Sequence, residues 1–152
     1  MAYEGRPNVS DTLIWGVIRS QNAYLVKQSH SGGPQFSRDP LNLANLNSRK
    51  YSGLASDKAI GIQAGENGAI TITTKSPKNP NKTSSDTYST SATNRKIYKG
   101  VANRAVKNGY RADLRATAVH RASALRLAQR PKKDLPVKAL RGVKARKAEA
   151  EA

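Results

Sequence analysis

Cysteine is missing from this chain, and acids, large aliphatics, aromatics and long apolar runs are all scarce. Without cysteine there is no disulfide framework, no thiolate zinc site and no cysteine nucleophile. That fits a reducing compartment. The apolar stretch Leu13–Ile18, glycine included, is six residues, far short of the roughly 20 needed to span a bilayer. No signal-peptide pattern opens the sequence, so an intracellular protein is expected and the sequons at Asn8 and Asn81 are expected to stay unused. Histidine is nearly absent too. His30 sits in a glycine loop and His120 among arginines, which disfavours a metal cation and leaves phosphate contact as the better use of His120. Gly32-Gly33 is not followed by the Lys-Ser/Thr of a phosphate-cradling loop. No acid pair or Ser-His-Asp pattern stands out, so neither catalysis nor a cofactor is expected.

What is present is positive charge. Lysine and arginine number 27 against 10 acids, a formal net charge of +17 over 152 residues. It is unevenly spread: residues 92–152 hold 17 of the cations and four acids, hence +13. Such a segment repels itself unless a polyanion screens it, and neutralising nucleic-acid phosphates releases condensed counterions. Leu, Ile, Val and Phe supply 27 residues, 16 of them in residues 1–75, none in 76–91 and 11 in 92–152. At that low share a modest core forms in the first half and a charged partner is needed by the second.

The local patterns predict an α+β fold, with a small β-rich N-terminal half containing a hairpin, then basic C-terminal helices and an extended tail. Residues 1–10 read as an arm. Ser10 or Asp11 caps a short helix carrying Leu13, Ile14, Val17 and Ile18, a stretch whose β-branching also permits a strand. Trp15, among these residues, is expected in the core. Ala23–Gln28 reads as a strand, His30–Pro34 as a loop and Asp39-Pro40 as a turn. Leu41, Leu43, Leu46 and Leu54 anchor an Asn-rich irregular stretch. Ile60 and Ile62 alternate before Asn67-Gly68, and Ile70 and Ile72 after it, which predicts a tight β-hairpin with one buried face. Ser76–Ser91 reads as a linker by composition.

Beyond the linker, Ala92–Asn108 is a predicted helix with Ile97, Val101 and Ala105 on one stripe and Gly109 as its stop. A second starts after Asp113 as N-cap, carries Leu114, Ala118, Ala122 and Leu125, and ends at Pro131. A weaker third spans Val137–Lys147, interrupted by Gly142. The organisation is then an arm (1–10), a domain (11–130) made of a β-rich half (11–75), linker (76–91) and basic helices (92–130), and a basic tail (131–152). From Ala92 to Leu127 the one acid is Asp113, so the basic residues lack the opposite signs of an ordinary solvated helix face. Arg95, Lys96, Lys99, Arg104 and Lys107 on the first helix are the expected phosphate contacts there. Arg111, Arg115, Arg121, Arg126 and Arg130, followed by Lys132 and Lys133, continue the set; arginine's planar fork suits phosphate oxygens. Tyr98 and Tyr110 lie among these charges, with core packing at the rim preferred over base stacking.

Three blocks carry a family resemblance. They are Leu13-Ile14-Trp15 to Arg19 with Tyr24-Leu25-Val26-Lys27; Asp39-Pro40-Leu41-Asn42-Leu43 with Asn47-Ser48 and Tyr51-Ser52-Gly53-Leu54; and Tyr110-Arg111-Ala112-Asp113-Leu114-Arg115 with Ala118 and Arg121-Ala122-Ser123-Ala124. In this order they resemble the eukaryotic large-subunit ribosomal proteins of the L28e type, over roughly residues 11 to 130. The tryptophan block is also similar to a nucleolar ribosome-assembly family sharing the module. The resemblance implies a structural role on the cytosolic large subunit, with ribosomal RNA and neighbouring ribosomal proteins as partners and assembly in the nucleolus. No membrane and no homo-oligomer are expected. Family members usually carry proline where Ala112 stands, which implies a looser entry into the second helix. A chromatin or DNA-binding role, suggested by the Ala/Lys-rich tail, is weaker for want of a DNA-reading motif.

Overall fold

The computed structural model describes residues 8–27, 32–76, 78–79, 81–88, 95–135 and 141–150. Most of the predicted N-terminal arm, part of the His30–Pro34 loop, residues 89–94 and the first residues of the third predicted helix lie outside them.

Asp11–Ile18 forms helix α1, resolving the helix–strand ambiguity there. Ser10 caps it, its hydroxyl accepting from Leu13 N at 3.2 Å. Leu25–Val26 (β1) and Phe36–Ser37 (β2) make a two-stranded antiparallel ladder. Ile60–Ala64 (β3), Ile70–Lys75 (β4) and Thr83–Tyr88 (β5) form a second antiparallel sheet in the order β3-β4-β5. Two helices follow, Lys96–Val106 (α2) and Arg115–Gln129 (α3), and then Val143–Ala150 (α4). The architecture is α+β.

The predicted hairpin is present, with a different connection. The register pairs Ala64 with Ile70, so five residues lie between the strands, too many for a two-residue turn. Glu66–Gly68 coils into a 3-10 turn, and Gly68 alone takes a positive φ of 80°. The stretch expected to be a linker departs further, because Thr83–Tyr88 pairs with β4 as an edge strand. Threonine and tyrosine favour the pleated backbone. The hydroxyls of Thr71 and Thr87 (3.4 Å) and of Thr73 and Ser85 (3.3 Å) also meet across the ladder. A solvated edge strand needs few core residues, so a stretch without them can still pair.

One face of the sheet is covered by the two helices. Ile60, Ile62, Ile70 and Ile72 pack with Leu43 and with Ile97, Val101 and Ala105 of α2, all buried. Leu114, Ala118 and Ala122 complete the cluster from α3 and its approach. The alanines let helix backbones sit close to each other and to the sheet. Gly100 has the same use, since a methyl group there would come 2.7 Å from the Tyr88 ring.

The Asn-rich segment is ordered by side-chain-to-backbone bonds. Asp39 accepts from Leu41 N and, fourteen residues on, from Gly53 N, both at 2.9 Å. Asn42 donates to Leu46 O at 2.8 Å and accepts from Ala44 N at 3.1 Å. A side chain at Gly53 would strike Asp39 and Leu41, and one at Gly61 would overlap Pro40 O, so this loop lies directly on β3.

Trp15 corrects an expectation. It is half-buried, in a helix with no buried residue, and Leu13 and Val17 are 59% and 72% exposed. Helix α1 is tethered by polar bonds, from Arg49 Nη2 to Thr12 Oγ1 (3.0 Å) and from Asn47 Nδ2 to Arg19 O (3.0 Å).

Candidate nucleic-acid interface

The antiparallel helix pair sets the positions of the basic side chains. Helix α2 ends in two left-handed residues, Asn108 (φ 57°) and Gly109 (φ 62°). The chain then turns back, Arg111 N donating to Ala105 O at 2.8 Å. Tyr110 bolts this turn to the sheet, its hydroxyl 2.7 Å from Lys75 O and 3.2 Å from Ala59 O. Burial pushes the Tyr110 phenol above its ordinary pKa, against the pull of those bonds and of Arg111 and Arg104. The Tyr110 ring packs at the rim of the core.

Arg111 is the second fastener. Its Nη1 donates to Lys58 O (2.7 Å) and Nη2 to Lys50 O (2.8 Å), while Nε and Nη2 each reach Asp113 at 2.9 Å. Four of its five N–H groups therefore serve the fold. Asp113 is not the N-cap of α3. Ala112–Leu114 is a 3-10 turn, Leu114 occupies the cap position, and the Asp113 carboxylate faces Arg111. The bond from Arg111 holds the Asp113 carboxyl below the usual carboxylate range, outweighing partial desolvation.

The remaining expected contacts fall into two tracks. Lys96 opens α2 and Lys107 is its C-cap, eleven residues or three turns on, so the two share a stripe with Lys99 beside it; all three are exposed, as is Arg95. Arg104 leans from this track toward β5, bridging Asp86 and lying 3.4 Å from Ser84 Oγ. On α3, Arg115 and Arg126 are also eleven residues apart, on the flank turned toward α2. The Arg126 guanidinium lies 5.5 Å from the centre of the Tyr98 ring. Arg130, Lys132 and Lys133 continue beyond the helix, exposed. Arg121 stands on the opposite flank, half-buried, its Nε without a hydrogen-bond partner among the described residues. The outermost stripe of α3 is not basic: Ala116, His120, Ala124 and Leu127 occupy it, all exposed.

Sequence reading missed Lys58, Ser84 and Asn108. With Thr74, Lys75, Arg104, Lys107 and Tyr110 they line a notch of about 300 Å³ between the β4–β5 edge and the end of α2. No acid lines it. A larger cleft of about 730 Å³ lies between α1 and the 49–58 loop, and Asp11, Asp57 and Asp113 share it with Arg49, Lys50, Lys58 and Arg111. Asp57 is buried, and desolvation raises its pKa although Lys75 opposes the shift. Among the described residues there is no cluster of three metal-ligating side chains, and no helix is long and apolar enough to cross a membrane.

Residues 13–128 match the model of the ribosomal L28e protein family. The large ribosomal subunit protein eL28 of Schizosaccharomyces pombe is 45% identical over 130 residues, covering 83% of this chain and 97% of its own. The protein of the same name from Dictyostelium discoideum is 37% identical over 129 residues, covering 80% and 93%. That from Caenorhabditis elegans is 43% identical over 70 residues, covering 46% and 54%. The matched span runs from the first leucine of α1 to the last turn of α3, and over it the chain belongs to the ribosomal L28e protein family.

Proposed function

We propose that this chain is a structural constituent of the cytosolic large ribosomal subunit, holding ribosomal RNA through the basic tracks of α2 and α3. Residues 11–130 form the RNA-bound domain, with residues 1–10 and 131–152 as arms reaching between RNA segments and neighbouring proteins. The assembly site is the nucleolus, and the role is binding without catalysis. The observation that carries the reading is the set of cations on the helix pair with few acids beside them, fixed by a two-layer core. Exposed Lys96, Lys99, Lys107, Arg115 and Arg130 present charge on a rigid frame. Contacts of this kind read the phosphate backbone and the shape of A-form helices more than base edges.

Tagged protein in a sucrose gradient tests it. Near one copy per large subunit, kept in polysomes through a high-salt wash, is the expected result. Confinement to nuclear precursor particles would instead indicate a factor of ribosome assembly. Reversing Arg115, Arg121 and Arg126 to Glu is expected to exclude the protein from subunits while the sheet signature of its circular dichroism persists. Normal incorporation of that triple variant would remove α3 from the RNA surface.

A further inference from the structure

We infer that the notch between the β4–β5 edge and the end of α2 seats one phosphodiester of the RNA backbone, the terminus of the α2 basic track. The inference deepens the proposed RNA binding and rests on it. The notch is open and about 300 Å³ in volume, with cations and neutral hydrogen-bonding groups around it and, among the described residues, no carboxylate in its lining. Two of the cations are tied to the frame. Arg104 is oriented by Asp86 and reaches Ser84 Oγ, and Lys75, which is buried, donates to Ser56 O at 3.0 Å with its charge facing Asp57. The Lys58 backbone is pinned by Arg111, through the 2.7 Å bond to its carbonyl, and Lys58 lines both the notch and the larger cleft beside it. Lys107 and Asn108 enter from the other wall on the left-handed turn.

A phosphate oxygen placed there meets Lys58 and Lys107 from two sides and Arg104 from a third. Ser84 and Asn108 are the neutral donors for the second oxygen. Charge-assisted bonds from several converging donors are what a phosphodiester needs and what a neutral peptide or an apolar ligand does not use. The larger cleft beside α1 lacks this selectivity, since its three carboxylates repel an anion.

The test measures binding of deproteinised large-subunit ribosomal RNA to the full chain across a potassium chloride series. Loss of one phosphate contact lowers the slope of log affinity against log salt by about one and weakens binding at every salt. Lys58→Gln combined with Lys107→Gln is expected to do this, and Asn108→Gly, which keeps the left-handed backbone, to weaken binding less. Lysine acetylation read by mass spectrometry gives a second measure. RNA is expected to protect Lys58 and Lys107 together while Lys50, in the larger cleft, stays reactive. An unchanged slope, or equal acetylation of Lys58 and Lys107 with and without RNA, overturns the seat. If Arg115, Arg121 and Arg126 reversal abolishes binding while the notch variant binds as wild type, the seat alone is wrong. If the wild-type chain shows no salt-dependent binding, both readings fall.

Discussion

Helices α1 and α3 invert the usual relation between composition and burial. Five of the eight residues of α1 are Leu, Ile, Trp or Val, yet none is buried. Helix α3 is rich in arginine and alanine, yet Ala118 and Ala122 are fully buried and Leu114 before it is nearly so. Segregation decides the matter. The small residues of α3 recur on one stripe that fits against β3 and α2, and the long cations flank it with their stems over the edges. Helix α1 has apolar residues around most of its circumference, and the sheet face that might receive it is already taken by α2 and α3. Among the described residues, α1 is tied to the 47–49 loop by polar bonds, with Ile14, Trp15 and Ile18 half-buried beside them.

Overfilling the α3 stripe is therefore the change with the largest expected effect on the fold. Ala122 is fully buried beside isoleucines of the sheet. Ala122→Leu puts three extra carbons where there is no space, and a cost of about 1–3 kcal/mol is expected. The loss is read as a lower midpoint in urea at unchanged slope. A variant as stable as wild type would mean that α3 can lift from the sheet, and that its burial owes little to tight fit.

This also explains which features were legible in the sequence. The stripes of both C-terminal helices and the pairing of the isoleucine strands depend on local spacing and were legible, whereas spacing left the α1 cap open between Ser10 and Asp11 and suggested too tight a turn between β3 and β4. Strand β5 was missed because its six residues carry no aliphatic, and its pairing is set by the free edge of β4 some ten residues earlier. Asp113 was read as a cap because the type and position of the residue fit, but competition from Arg111, two residues away, decided its bonding. Arg111 itself looked like a phosphate contact by charge alone. Its partners Lys50 O and Lys58 O lie more than fifty residues back in the chain, out of reach of any local pattern. The notch went unseen for the same reason: its walls come from β4, β5, the 58 loop and the α2 turn.

The fastening of α3 has a pH signature smaller than overpacking. Asp113 has a depressed folded pKa, so its contribution is present above the ordinary value of 3.8 and fades as pH falls through the lower folded value. Asp57 has the opposite sign. Its raised folded pKa means the folded state takes up a proton first, so its contribution to stability rises as pH falls through that raised value toward 3.8. Asp113→Asn is expected to flatten the acid limb of the melting temperature below pH 3.8, and Asp57→Asn to remove the opposing trend just above it. Because Asp113 is half exposed, solvent screens its pairing and the first effect is modest. Identical acid limbs for wild type and Asp113→Asn would show that the Arg111 fork holds α3 through Lys50 O and Lys58 O alone.

The smallest effect is expected where the sequence looks most like core. Val17 is 72% exposed in α1, so replacing it with serine removes little apolar surface from contact with protein. Surface substitutions away from special features stay within about 0.5 kcal/mol, and serine and valine have nearly equal helix propensities. The unfolding midpoint of Val17→Ser is therefore expected to match wild type, in contrast to the drop from adding carbons at Ala122. A loss of 2 kcal/mol or more, roughly the value of a fully buried valine, would mean that α1 packs its apolar side against the body of the free protein. The comparison would then collapse, because both helices would owe their place to burial. Equal midpoints would show that the Val17 side of α1 adds no apolar contact to its placement, leaving the polar tethers and the half-buried Ile14, Trp15 and Ile18 to fix the helix.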